Sequence, residues 1–512
     1  MKQAFPYPRL ANFLLLAAAA TYFCTSIHSP VFFESLTIGH WIETHQAIPT
    51  EYLWSTAGAG QPWRSPSWLF ELLLSLSEQL FGDQVFIVLK MLLLTCLVCG
   101  LSWLYACRAR NAFIGTFIAL PVSAGMLITA VLGPHLVGWL GAVLLIELAY
   151  RARLGEGTPL RALAVSFLVG VLLANSDASS AFAVLVSAVV LLSPAVEGEV
   201  LAPRAKRLGM VLVLVLSQLV TPYGGLQLLT IAQSFLFFLS LELGQRLNPG
   251  TVFQYQVSFL VLLWIVLVLL WPKHRRLLNG GEMLLAVGST VLALASWKAA
   301  PYALLLVGLC TTLVWGRAQL SELGNLGEAL SAFRQSMAKL PPLGTLWLLL
   351  CVLIVNVLNL WKVPFTKVLL PAREVDYLLE QPMDGALLHE RFIGGYLVYR
   401  FADGKGRPRK LAAITDRSAF LDQPLAKSEV ELETLSPGWK EYFAQLDPKR
   451  VLCRIDSTLY QVLTYDRSWE LTLLYGFPPQ SEPAAMLTKK GAFGWALFSK
   501  AAPESVADSE SL

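Results

Sequence analysis

Residues 29–83 read SPVFFESLTIGHWIETHQAIPTEYLWSTAGAGQPWRSPSWLFELLLSLSEQLFGD, a largely polar segment set between two apolar runs. It contains Glu34, His40, Glu43, His45 and Glu51, with Trp41, Trp54, Trp63 and Trp68 distributed among them. Acids and aromatics beside a membrane suit the handling of a polar substrate, but aromatics also gather at bilayer interfaces as anchors. The fold turns on whether the runs flanking this segment, and those that follow, cross a membrane.

Composition answers that first. Charged residues make up 14% of the 512 residues and hydrophobic ones 55%, and the mean hydropathy is +0.57. An ordinary soluble domain has about 25% charged and 45–50% apolar residues. The chain therefore reads as a polytopic α-helical membrane protein. A net charge of +4 and a pI near 8.6 would hint at acidic partners in a soluble chain. Here the basic residues follow topology, and no nucleic-acid partner is expected. Of the seven cysteines only Cys453 lies away from the apolar runs, a pattern that supports neither a disulfide framework nor a zinc site.

Apolar runs long enough, or nearly so, to cross about 30 Å of hydrocarbon predict about 11 transmembrane helices. They fall near 10–27, 84–106, 112–132, 136–150, 160–175, 179–195, 208–222, 252–271, 282–297, 300–316 and 343–361. The first reads as a retained helix, because no small-x-small cleavage site follows it. Lys and Arg collect on the cytoplasmic side of membranes. With a cytoplasmic N-terminus, Arg108, Arg110, Arg151, Arg153, Arg161, Arg204, Lys206, Arg207, Lys273, Arg275, Arg276, Arg317, Arg334 and Lys339 all fall inside. The outer connections before the tail hold only Arg64, Arg246 and Lys298. The alternation assigns a multi-pass protein of a bacterial inner membrane, with the loop 28–83 and everything after about residue 362 on the extracytoplasmic face. Residues 66–81 and 225–242 are amphipathic, which suits either an interfacial helix or a short helix packed on the bundle.

Three regions follow: a transmembrane helical domain over 1–361 with its first outer loop at 28–83, an extracytoplasmic α/β domain over 362–500, and a disordered acidic tail over 501–512. In the α/β domain, strands are expected at 385–389, 410–415, 450–455, 469–477 and 493–499. Helices are expected in AREVDYLLEQ, GGYLVYRF and WKEYFAQL. The alternation suggests three layers.

In the loop, Glu34, Glu43 or Glu51 suits a general base if its surroundings raise its pKa toward the working pH; a solvated carboxylate is the plainer account of each. His40 and His45 are five apart, which breaks a regular metal-ligand array, and neither a metal nor a cofactor is expected. Polar residues near membrane spans are costly and default toward function. Here these are His135, Asn175, Asp177, Glu242 and Lys298, all on the outer side in this topology, with interfacial solvation as the competing account.

The order of features resembles a large bacterial group related to the C-type, polyprenyl-phosphate-sugar-dependent glycosyltransferases. In that group an outer loop carries a Gly-x-Trp-Ile helix, matched by Gly39, Trp41 and Ile42, and an Ile-Pro-x-Thr turn, matched by Ile48, Pro49 and Thr50. A Gly-x-Pro-Trp segment is matched by Gly60, Pro62 and Trp63, with Trp68 following. Pro134 and His135 resemble an Arg-Pro-His motif, and Asn175 resembles the Asn of Asn-x-His. Thr221, Pro222, Tyr223 and Gly224 resemble Asn-Pro-Tyr-Gly, and Gly394, Gly395, Tyr396 and Leu397 match Gly-Gly-Tyr-Leu, followed by ITDRSAFLD. The departures are equally definite. Ser29, Val31 and Ser35 stand where the group has two aspartates and a His, Gly133 replaces an Arg, Asp177 replaces a His, and Lys298 and Ala299 replace an Arg pair.

The resemblance implies transfer of a sugar from a polyprenyl-phosphate carrier to an extracytoplasmic acceptor, with the bilayer and the lipid-linked sugar as partners. The resemblance assigns no base here, since its acid is missing; Glu34 or Glu43 is the nearby candidate to substitute for it. The resemblance puts Trp63, Arg64, His135, Asn175, Asp177, Tyr223 and Lys298 near phosphate, sugar or acceptor. The lost aspartates support the alternative of a catalytically degenerate scaffold or partner subunit in an envelope assembly, docking an envelope protein through the α/β domain.

Overall fold

The computed structural model describes residues 29–56, 60–127, 130–156, 158–196, 199–245, 250–274, 277–317, 354, 370–382, 386–390, 393–412, 431–432, 435–481 and 494–500. The expected spans at 10–27 and 343–361, the ITDRSAFLD segment beyond Ala412 and the tail from 501 lie outside these residues. The chain divides into two compact units. One comprises 1–26, 83–229 and 239–364, and the other comprises 27–82, 230–238 and 365–512.

The first unit is helical. Its described helices are α3 (Val85–Ala109), α4 (Ala112–Leu127), α5 (Pro134–Leu154), α6 (Pro159–Ser176), α7 (Ser180–Leu192), α8 (Arg204–Ser217), α10 (Gly250–His274), α11 (Gly280–Ala295) and α12 (Ala300–Arg317). Each covers one of the stretches expected to span. Two of them, α3 and α5, are long and apolar enough to cross a membrane, and parts of α4, α6, α7, α10, α11 and α12 form shorter apolar helices. The ends follow local chemistry. Pro134 and Pro159 open α5 and α6 at the position where a missing N–H costs nothing. Asn279 and Glu282 close a reciprocal capping box on α11. Helix α5 packs on α3, α6, α7 and α8, and α12 packs on α3, α4, α10 and α11.

Polarity in this unit is inverted. Leu92, Leu168, Leu185, Leu212, Leu269 and Leu294 are exposed, while Lys90, Glu147, Arg153 and Glu282 are buried. Arg153 is fully buried and pairs with Glu199 at 2.6 Å and Glu282 at 3.5 Å. Arg317 reaches the same two carboxylates at 3.4 and 3.1 Å, and the Tyr150 hydroxyl donates to Glu282 at 3.2 Å. Arg108 and Arg151 both bond Glu147 at 2.9 Å. Arg108, Arg153 and Arg317, read from the sequence as loop charges, also tie α3, α5, α11 and α12 together, whereas Arg151, partly exposed, bonds Glu147 within α5.

The second unit joins chain segments distant in sequence. Helices α1 (Pro30–His45) and α2 (Trp68–Phe81) come from the first loop. The remainder holds α13 (Ala372–Glu380), β1 (Ala386–His389), α14 (Gly394–Phe401), α15 (Trp439–Leu446), β2 (Pro448–Arg454), α16 (Thr458–Tyr465), β3 (Trp469–Leu474) and β4 (Trp495–Lys500). The strands form a mixed sheet in the order β1-β2-β4-β3. β1 is parallel to β2, with Leu388 opposite Val451, and the other pairs are antiparallel, with Val451 opposite Phe498 and Leu471 opposite Phe498. Val451, Cys453, Ala496 and Phe498 pack with Leu459 and Leu463 of α16 and Tyr442 of α15. On the opposite face Leu452 and Leu497 are fully buried, and α13 packs against β4.

Four of the expected strands and all three expected helices are present. Lys410–Thr415 is not a strand as far as it is described: Ala412 makes only an isolated parallel bridge, to Ser55. That bridge is informative. With Thr56 N–H donating to Ala412 O at 2.8 Å and the Trp54 indole donating to Gly406 O at 2.9 Å, it ties the loop to the C-terminal segment. The loop, grouped by sequence with the helical domain, packs instead with the C-terminal domain. Helix α1 lies against α14, and a Cβ on Gly395 would collide with the Pro30 carbonyl. Phe33 then meets Tyr396 and Tyr399 at ring separations of 5.3 and 5.2 Å.

Candidate functional site

The nine candidate side chains divide between the units: Glu34, Glu43, Trp63 and Arg64 in the second, and His135, Asn175, Asp177, Tyr223 and Lys298 in the first.

Glu34 lies on α1 and is fully buried. The Tyr52 hydroxyl donates to its Oε1 at 2.5 Å. Tyr52 is in turn edge-on to Trp54 and Trp63, at 5.4 and 5.1 Å, and all three rings are buried. Glu34 and Trp63 thus belong to a packed aromatic knot in which the loop folds back on α1. The antiparallel bridge between Glu51 and Pro62 closes that fold. Arg64 donates to Thr230 Oγ1 at 3.1 Å.

Glu43, nine residues further along α1, is only half-buried. It lines an open cleft of about 410 Å³ with Ile42, Gln46, Ala47, Ile48, Trp68 and Leu72. Its Oε2 accepts from the Ser75 hydroxyl of α2. One turn away His40 Nε2 meets Glu78 Oε2 at 2.5 Å, so two polar rungs join α1 to α2. Gln46 ends α1 in the left-handed region, with φ 50°, uncommon for a residue with a side chain. Glu71 is buried beneath α2 and accepts from Ser65 at 2.9 and 2.8 Å and from Ser67 at 3.1 Å. The cleft therefore offers a carboxylate, an amide and an indole around an apolar floor.

In the helical unit, Asn175 donates to Val171 O at 2.8 Å and to Val220 O at 2.9 Å. It fixes the end of α6 to the turn that leads through Tyr223 into α9 (Gly225–Gln245), and Gln227 Nε2 reinforces this at Ala174 O, 2.6 Å. Asp177 caps the next turn, accepting from the Ser179 backbone at 3.1 Å and from its hydroxyl. Tyr302 of α12 donates to the same hydroxyl. A side chain at Gly138 of α5 would occupy the place of the Asp177 carboxylate. His135 sits in the first turn of α5, edge-on to Trp139 at 5.0 Å, with a buried Nε2 that has no hydrogen-bond partner. Lys298 is exposed in a short 3-10 turn between α11 and α12. The side chain of Glu242 lies outside the described residues.

Sequence reasoning missed Lys90. It is buried on α3, and its ammonium is an electrostatic neighbour of His135. The signal was available, since Lys90 is the only charge between Val85 and Cys107. It also missed Tyr302, for which the sequence offers no signal, because only the fold brings it to Ser179. Among the described residues no group of three or more His, Cys, Asp or Glu side chains is placed to hold a metal ion.

No family model matches the chain and no curated protein matches its sequence. Among solved structures it is similar to an arabinofuranosyltransferase, AftD, from mycobacteria, with 12% identity and a TM-score of 0.48 over 98% of this chain and 42% of that one. It thus spans less than half the length of that protein. It is also similar to the oligosaccharyltransferase of Archaeoglobus fulgidus tethered to an acceptor peptide. There the identity is 11% and the TM-score 0.49, over 88% of this chain and 69% of that one. Both superpositions are loose.

Proposed function

We propose that this protein is a membrane glycosyltransferase of the C-type, polyprenyl-phosphate-dependent kind, acting on an extracytoplasmic acceptor, with Glu43 as the base. The observation that supports it most directly is the open cleft at the end of α1, where Glu43 stands beside Gln46 and Trp68. A carboxylate that keeps access to solvent can take the proton of an acceptor hydroxyl or amide as it attacks the anomeric carbon, the bond from that carbon to the phosphate oxygen breaks and the polyprenyl phosphate leaves with the bonding pair. Glu34, sealed under Tyr52, holds the loop together instead. The ordered motifs of the loop and the tail support the family reading. The outward leucines of the helical unit support a bilayer setting, since soluble surfaces rarely expose large apolar patches.

The test is turnover of a labelled polyprenyl-phosphate sugar with mixed acceptors by the full-length protein in liposomes. Glu43→Gln is expected to lose at least 100-fold, in line with the 10²–10⁴ contributed by a general base, while Glu34→Gln lowers stability and keeps turnover per folded molecule. Undiminished turnover in Glu43→Gln would sink the assignment of the base. A second reading, a non-catalytic scaffold of an envelope assembly, is favoured by the burial of Glu34, the acid closest in sequence to the lost aspartates. It predicts no binding of the lipid-linked sugar and recovery of a stable partner by crosslinking.

A further inference from the structure

Residues 403–410, DGKGRPRK, carry four cations, one acid and no side chain more apolar than proline. Most of this stretch folds as a tight hairpin. Ala402 and Pro408 form an antiparallel bridge; Asp403 N–H donates to Arg407 O at 2.8 Å and Arg409 N–H to Phe401 O at 2.7 Å. The one carboxylate is engaged by the turn itself, since Asp403 Oδ1 accepts the backbone N–H groups of Lys405 and Arg407, each at 2.8 Å. Arg407 and Arg409 are its electrostatic neighbours, one acid against an excess of cations. Lys405, Arg407 and Arg409 are exposed, and among the described residues their side chains make no ion pair.

Behind them Lys410 caps the end of α13, its ammonium donating to Leu378 O, Leu379 O and Gln381 O at 2.6, 3.1 and 2.8 Å. Arg450 of β2 is an electrostatic neighbour of Lys410, and its Nη1 is buried without a hydrogen-bond partner. A buried donor left without an acceptor is uncommon in a folded protein. The surroundings therefore hold positive charge in excess of what answers it.

The hairpin also stands beside the cleft. Gly406 adopts φ 73°, and a Cβ there would meet Thr37 O and Trp41 N of α1 at 2.6 Å, so glycine lets the turn lie directly on the helix. The Trp54 indole fixes it there through Gly406 O. Glu43 is two residues beyond Trp41, about 3 Å further along the helix axis at 1.5 Å per residue.

We infer that this hairpin is the docking face for an anionic glycan, whose phosphate or carboxylate groups lie on Lys405, Arg407 and Arg409 while a sugar hydroxyl enters the Glu43 cleft. The inference rests on the transferase reading above and gives its acceptor a chemical class. Guanidinium forks match such oxyanions, and the summed field of unpaired cations steers them inward. Trp68, which lines the cleft, offers a flat apolar face to a sugar ring. A lipid headgroup fits less well, because interfacial segments set Trp, Phe or Leu beside their cations and residues 402–410 contain none of these.

The experiment is fluorescence anisotropy of labelled oligosaccharides on the full-length protein in phosphatidylcholine nanodiscs. The probes are a phosphorylated mannan oligosaccharide and the same chain after phosphatase treatment, and an oligogalacturonide and its methyl ester. An anionic probe is expected to bind about tenfold more tightly than its neutral form, the scale that three exposed charge contacts support. That margin should vanish at about 1 M salt, where the Debye length is about 3 Å. Lys405→Gln, Arg407→Gln and Arg409→Gln together should remove it, whereas Lys500→Gln, whose ammonium pairs with Asp447, should keep it. A margin for the phosphorylated chain alone, or for the uronide alone, supports the inference and names the oxyanion. Equal binding of charged and neutral forms, or a margin that survives the triple substitution, overturns it. Protection of the 402–410 amides from hydrogen exchange on replacing phosphatidylcholine by phosphatidylglycerol, with no glycan present, overturns it in favour of a lipid headgroup. Turnover of the polyprenyl-phosphate sugar separates the two readings: a margin without turnover keeps the docking face and sinks the transferase, and turnover without a margin does the reverse.

Discussion

The helical unit and the sheet domain solve the same problem of burial with opposite surfaces. The first keeps Arg153, Glu282 and Lys90 inside and turns leucines outward. The second encloses Val451, Leu452, Leu497 and Phe498 and leaves Lys405, Arg407, Asp447 and Lys449 exposed. The difference teaches what each surface meets. In the proposed bilayer setting, hydrocarbon neither rewards a buried leucine nor tolerates an exposed charge, so charges are paired within, whereas water enforces the usual order.

The sharpest way to break this comparison is to unpair the interior charges. Arg153→Ala leaves Glu282 and Glu199 without one of their two guanidinium partners, at an expected cost of about 3–5 kcal/mol in denaturation of the full-length protein in detergent. A cost below about 1 kcal/mol would mean that the network is solvated. Next in size, Gly395→Val forces α14 away from the Pro30 carbonyl and is expected to cost about 1–3 kcal/mol. The nearby Gly404→Ala, with open space at its Cβ, should stay within about 0.5 kcal/mol of the parent. Equal effects would show that α1 and α14 are not in contact.

A smaller effect separates the sheet domain from its neighbour by pH. Burial pushes the Glu374 carboxyl up to about 7 from 4.5. Its contribution is complete below pH 4.5 and is lost as the pH rises through about 7. Burial drives His389 down to about 4 from 6.5, so its contribution is complete above pH 6.5 and is lost as the pH falls through about 4. The protection of the β2 and β4 amides, corrected for the intrinsic pH dependence of exchange, should therefore peak at mildly acidic pH. Glu374→Gln should flatten the alkaline limb and His389→Gln the acid limb, and unchanged limbs would place both groups in water. The smallest effect is expected at the surface. Asp447 bonds Lys449 at 2.9 Å and Lys500 at 2.8 Å, all exposed, and Asp447→Ala should leave the melting transition unmoved, because exposed pairs are screened.

Helix positions were legible because apolar run length and Pro or Asn at helix starts are local signals; Pro134, Pro159 and Asn279 mark their own elements. The strands at β1, β2, β3 and β4 were legible for the same reason; of the expected strand at 410–415 only 410–412 are described, where Ala412 bridges Ser55 of the loop. In the site, Glu34 and Glu43 are indistinguishable as letters nine residues apart on one helix. Their difference, one sealed by Tyr52 and one beside a cleft with Trp68, comes from the return of the loop upon α1, a contact between residues 18 apart. Lys90 was legible as a lone charge in an apolar run; Tyr302 was not, since its partner Ser179 lies 123 residues away.

By itself the sequence determined the elements: near which residues the helices lie, which runs are apolar, and the amphipathic period of α2. Those are set by covalent neighbours and residue type, which act over a few residues. Only the tertiary structure decided that the first loop packs with the C-terminal domain, that Arg153 is interior, that Glu34 is sealed and Glu43 open, and that Leu73 and Leu80 of α2 face outward while Leu74 is buried. Burial is a property of three-dimensional neighbours, and a helical period shows that two faces differ without saying which of them the rest of the chain will cover.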